Sequence, residues 1–218
     1  MTPGPDRREC RDTGQAFPIY IVVVAGLLFL AFAFFAVGQA AATRNSAQTA
    51  ADAAALAAAQ RYRDDLRKGL LDAVLVGSTL DDLLNGTGPS TGPACADAEW
   101  FAGQNEADLT SCQGGTLPTS FAVGITTQKT VGDSVVPGTE GKHASAQAKA
   151  VVKPRCAVAP PAPDDDAGKG GDGKGEDDKG GAKPPLALRC DGKNWIIDPE
   201  DLRQAPEASD LFSVQLAN

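Results

Sequence analysis

Four cysteines, Cys95, Cys112, Cys156 and Cys190, lie beyond residue 90 of the 218-residue chain, and a fifth, Cys10, stands near its start. Thiols so placed can form disulfides or hold a metal. Zinc sites are marked by close C-x-x-C pairs, and the sequence has none. An even set on one side of an apolar run instead predicts two disulfides in an oxidising compartment. A bond between Cys156 and Cys190 would tie together the ends of a polar insertion. A bond between Cys95 and Cys112 would pin a short helix to the segment that follows. Four cysteines allow three pairings, and spacing does not choose among them.

Other chemistry is sparse. The only histidine, His143, follows Gly141 and Lys142 in a turn-like context without a triad partner. There is no G-x-S-x-G, H-E-x-x-H or phosphate loop. Asp81-Asp82 and Asp177-Asp178 are adjacent rather than facing, and read as cap or solvated charge. The Asp spacing between Ala159 and Pro185 fits neither an EF-hand nor a repeat-type calcium loop. No catalytic, metal or cofactor site is expected, and the chain reads as a non-enzyme. With a net charge of −8 and a pI near 4.6, it also lacks the clustered Lys and Arg that nucleic acid requires.

The elements that position the cysteines begin with an uncharged run, Ala16 to Gly38. As a helix it is about 35 Å long, enough for a hydrocarbon core of about 30 Å. Phe29, Phe32, Phe34 and Phe35 suit it to lipid, Phe17 and Tyr20 to an interface. Arg7, Arg8 and Arg11 precede it, which predicts a cytoplasmic N-terminus and an extracytoplasmic C-terminal part. A cleaved signal peptide is the competing reading, but its apolar region is about 7–15 residues, shorter than this run. A retained single-pass anchor in the cell membrane is expected, contacting lipid through residues 16–38.

An alanine-rich stretch, residues 39–76, continues the run without a strong helix breaker, Gly69 being a mild weak point. From Thr43 to Val76 it would reach about 50 Å, with Asp64 and Lys68 paired at i, i+4 and Leu66, Leu70, Leu71 and Val74 on an apolar face. Anchor and stretch together predict one rod. Methyl groups allow helices to approach closely, so Ala50, Ala54, Leu56 and Ala58 are expected to pack on partner helices. A plain stalk is the alternative.

The order of these pieces resembles a known family. Gly14-Gln15-Ala16 stands directly before the span, and Gln48 to Ala59, "QTAADAAALAAA", follows soon after it. This arrangement over residues 12–60 resembles the N-terminal region of TadE/TadG-like Flp pilus-assembly proteins. The resemblance implies a membrane component of a Tad-type pilus and secretion system that works with other pilus-assembly proteins. A homo-oligomer is compatible with it. Gly14 and Gln15 mark the candidate processing position. Pilins and pseudopilins carry a Glu five positions into the mature chain, where cutting after Gly14 would leave Ile19.

The rest reads as an α+β domain. Ser78, Asp81 and Asp82 suggest the start of a short helix, closed by Asn85-Gly86, and residues 96–104 a second. Phe121, Val123 and Ile125 alternate as a half-buried strand. Val131–Val136 and His143–Val152 are further strand candidates, and Trp195–Ile197 and Leu211 onward return to strand. Ala159–Pro185 has no aromatic or branched aliphatic residue and is expected to be disordered. The expected organisation is a cytoplasmic tail (1–15), a transmembrane helix (16–38), an Ala-rich helix (39–76), an extracytoplasmic α+β domain (77–158), a linker (159–185) and C-terminal strands of that domain (186–218). Function follows as a structural or assembly component of a Tad-type pilus, or, alternatively, an anchored envelope binding protein unrelated to pili.

Overall fold

A computed structural model describes residues 16–76, 80–85, 88–115, 119–130, 132, 141–159 and 185–217. Helix α1, Ala16–Val76, is continuous over 61 residues, about 90 Å of rod. Its one proline, Pro18, falls in the first turn, where it removes no intrahelical bond. Along the apolar run the side chains stand exposed. Beyond Thr43 the helix enters a folded domain, and Ala47, Ala50, Ala51, Ala54, Ala55, Ala58 and Ala59 are buried.

That domain is built on a four-stranded antiparallel sheet. Strand β1 is Ala107–Gly115, β2 Ser120–Thr130, β3 His143–Pro154 and β7 Phe212–Leu216, in the order β1-β2-β3-β7. Phe121, Val123 and Ile125 of β2 point into the core, opposite Ala150, Ala148 and Ala146 of β3. The other face, with Ala122 and Gln128, is open to solvent. Helix α1 crosses the covered face over β3, β2 and β7, and α3, Gly92–Gln104, packs beside it on α1 and β1. A short helix α2, Asp81–Leu84, turns back on α1, where Gly69 leaves room for Leu83: a Cβ there would stand 3.2 Å from its Cδ2.

A second sheet, β4 (Cys156–Val158), β5 (Leu186–Cys190) and β6 (Lys193–Ile197), is separate from the first. A short helix α4, Ala208–Leu211, with a capping box between Glu207 and Asp210, leads into β7. Helix-then-antiparallel-sheet architecture thus agrees with the α+β reading.

Several details differ from the sequence reading. The C-terminal strands do not act as one set: β5 and β6 pair with β4, and β7 alone joins the main sheet. Strand β1 was unforeseen, because its sequence, ADLTSCQGG, is polar on an edge whose outward side chains meet water. Helix α3 starts four residues early because Pro93 is favourable in a first turn. Ser78, Gly86, most of Val131–Val136 and residues 160–184 lie outside the described residues.

Candidate functional site

The apolar half of α1 carries no intramolecular packing. It is long and apolar enough to cross a membrane, with a window of mean hydropathy 2.8 that is 0% buried. Phe29, Phe34 and Phe35 are among its exposed side chains. In water such a surface would be strongly unfavourable, which makes lipid or apolar protein its fitting environment.

The alanine half has the opposite character. Ala50, Ala54 and Ala58 are 0% exposed, and Leu56 is half-buried against the same core. The stretch expected to face partner helices is thus covered by the chain's own elements. The chain's own β3 brings Ala144, Ala146, Ala148 and Ala150 to one side of it, and α3 brings Ala94, Ala98 and Ala102, its buried stripe at i, i+4, i+8. With methyl groups on both sides, α1 packs directly against β3 and α3. Larger side chains at these positions would force the layers apart. The alternation of β3 was legible in the sequence; the alanine row of α3, and the partnership of both with α1, were not.

Further along, the contact changes from methyl to aromatic and polar. Tyr62 packs on Phe121 with ring centroids 5.3 Å apart and a tilt of 59°. Burial raises the Tyr62 pKa above its ordinary value, while a hydrogen bond with Thr119 opposes the shift. Arg67 Nε donates to the Pro206 carbonyl at 2.8 Å, fastening α1 to the approach to α4. Gln48 Nε2 donates to the Gln147 carbonyl at 3.3 Å, and also to Asp52 Oδ1 at 2.9 Å.

Two disulfides staple the rest. Cys95 of α3 is bonded to Cys112 of β1, 17 residues apart, and Cys156 of β4 to Cys190 of β5, 34 residues apart. The second pair sits in cross-strand register, at the base of the segment 160–184. His143 begins β3 and is exposed, with Nδ1 2.7 Å from the Thr127 carbonyl oxygen. Among the described residues there is no group of three or more His, Cys, Asp and Glu side chains able to hold a metal ion. One open cleft is lined by Gln48, Asp52, Gln113, Gln147 and Lys149 together with apolar side chains such as Val123 and Leu216.

The described residues thus form an exposed apolar helix continuous with a disulfide-stapled α+β domain. Residues 14–61 match the model of the putative Flp pilus-assembly TadE/G-like family. The match starts at Gly14, runs through the apolar half of α1 and ends within the buried alanine stretch. It points to a role in Flp pilus assembly. Comparison with curated proteins and with solved structures finds no match. Gly14 and Gln15, the candidate processing position, lie outside the described residues. The matched region thus contains the exposed rod and its first contacts with the folded domain, and the two disulfides fall beyond it.

Proposed function

We propose that this chain is a membrane-anchored structural component of a Flp-pilus (Tad-type) assembly apparatus, not an enzyme. The observation that carries the reading is the coincidence of the family match with the exposed apolar half of α1. Residues 16–38 span the cell membrane with the Arg7, Arg8 and Arg11 flank in the cytoplasm. The outer domain, residues 77–158 and 186–218 around the Ala-rich helix 39–76, stands outside, where its disulfides persist. Since the alanine face is occupied within the chain, other pilus-assembly proteins, or further copies of this chain, are met through the exposed span and the outer surface.

Deletion of the gene followed by imaging of surface pili tests this. Loss of pili, restored by the wild-type gene, is expected; full piliation without the gene would overturn it. The intact mass of the chain recovered from membranes fixes its mature start. A start at Met1 or Thr2 would mark a stationary anchored factor, and a start at Gln15 a pseudopilin able to join a fibre.

A second reading, an anchored envelope protein unrelated to pili, draws support from Trp100 and Phe101. They form an edge-on pair with centroids 4.8 Å apart on the outside of α3 and are 59% and 41% exposed. Exposed aromatics of this kind suit a protein-binding surface. Unchanged pili together with a co-purifying partner lost in Trp100→Ala would favour it.

A further inference from the structure

We infer that the open half of the β3 edge takes up an extended strand from a different membrane-anchored chain, which pairs with it where β7 stops. This rests on the anchored reading above. On one side of β3, strand β2 pairs from His143 to Val151. On the other, β7 covers only Ala150 to Pro154, and Ala217 adds one bond to the Lys149 carbonyl at 2.8 Å. Below that point β3 has no neighbouring strand on this side among the described residues. The stretch left open, Ala144 to Ala148, reads ASAQA. It holds neither the charges nor the proline with which sheets ordinarily blunt a free edge.

Backbone groups along a strand point to its two sides in turn. The even positions of β3 face β2: Val152 N–H donates to the Thr119 carbonyl at 2.8 Å, and Ala144 N–H to the Thr127 hydroxyl at 3.1 Å. The odd positions face away from it, as Lys149 does toward Ala217 and Arg155 N–H toward the Leu211 carbonyl at 2.9 Å. Ser145 and Gln147 therefore hold their N–H and C=O groups out along the open edge, and both residues are exposed. One of these groups, the Gln147 carbonyl, accepts from the side-chain amide of Gln48 at 3.3 Å. A side chain thus stands where the N–H of a next strand would stand. Asp52 Oδ1, 2.9 Å from the same amide, keeps it paired when a strand displaces it.

An extended main chain is the ligand that matches such an edge, and the position of the edge says where that chain comes from. Helix α1 runs alongside β2: Tyr62 meets Phe121 near one end of the strand, and Thr43 and Ser46 share a cleft with Thr127 and Thr130 near the other. The open half of β3 is thus the half nearer the apolar run. Gln48 stands ten residues beyond Gly38, about 15 Å of helix, a distance that an extended chain leaving the same bilayer covers in about five residues. A two-fold pair of copies of this chain does not fit. Anchored in one membrane, the two would share an axis along α1 and hence along β3, which sets each N–H opposite the same N–H of its mate and closes no ladder.

The test places photo-reactive p-benzoylphenylalanine in the full chain in living cells, in place of Gln147 or, on the opposite edge strand β1, in place of the exposed Thr110. Irradiation should join position 147, and not 110, to a peptide of another protein within about ten residues of that protein's own membrane span. Adding Ser145→Pro removes an N–H that serves no bond within the sheet, a place where an edge strand tolerates proline. It should lower the yield at 147 several-fold and leave the denaturant midpoint of the purified chain unchanged. Ala146→Pro, whose N–H faces β2, should lower that midpoint. If Ser145→Pro lowers it too, amide exchange decides: residues 143–149 should exchange several-fold faster in the purified chain than in native membranes, and equal rates overturn the inference. No crosslink at 147, equal crosslinks at 147 and 110, a crosslink to a second copy of this chain, or a yield indifferent to Ser145→Pro in a chain of unchanged midpoint each overturn it and leave the anchor standing. Release of the chain from membranes by alkaline carbonate overturns the anchored reading, and this one with it.

Discussion

Tyr62 and Phe121 meet at 5.3 Å between ring centroids, and this is where the long helix is locked onto the sheet. Phe121 is fully buried and Tyr62 nearly so. Phe121→Ala leaves a cavity between two layers and should cost about 3–5 kcal/mol. Denaturant titration of the detergent-solubilised chain, followed by Trp100 and Trp195 fluorescence, measures it. A loss below about 1 kcal/mol would mean the layers close over the gap.

The same pair makes stability pH-dependent. Burial holds the folded-state pKa of Tyr62 above 10.0, so the folded chain keeps the phenolic proton more tightly than the unfolded chain does. That contribution is fully present below about pH 10 and is lost as pH rises through the folded-state value. Tyr62→Phe, which cannot ionise, should lose less stability than wild type in denaturant titrations run at increasing alkaline pH. Parallel curves would place the titration elsewhere.

Ala54→Asp and Ala58→Asp should each unfold or badly destabilise the outer domain, by about 3 kcal/mol or more. Both positions are 0% exposed in a close-packed alanine layer, which offers a carboxylate neither water nor a cation. Limited proteolysis should cut the variants in the outer domain and spare the wild type. Intact, protease-resistant variants that fail only to bind other proteins would restore a partner-facing role to this face.

Each disulfide should stabilise by an amount that rises slowly, with the logarithm of the loop it closes. In the loop-entropy picture, 17 residues correspond to about 3 kcal/mol and 34 to nearly 4, so roughly. Replacing Cys156 and Cys190 with Ser should lower the denaturant midpoint at least as much as replacing Cys95 and Cys112. Peptide mapping without reduction should recover Cys95 with Cys112 and Cys156 with Cys190. A peptide joining Cys95 to Cys156 would contradict the fold.

The sequence by itself determined the rod. Twenty-three uncharged residues followed by alanine, glutamine and leucine leave the backbone no better state than helix, and that preference is local. It also determined β2 and β3, whose alternation at Phe121, Val123 and Ile125 and at Ala144, Ala146 and Ala148 is a local pattern. Only the tertiary structure decided what the alanines are for. A methyl surface fits any close neighbour, so Ala50 and Ala54 read alike whether they face another protein or the chain's own β3. The choice depends on Ala144 to Ala150 and Ala94 to Ala102 arriving from distant parts of the chain with equally small side chains. Strand β1 and the transfer of β7 to the main sheet were decided in the same way. The pairing of β7 with β3 joins residues far apart in sequence, while β1 pairs with the next strand, β2, but as a polar edge strand carries little alternation of its own.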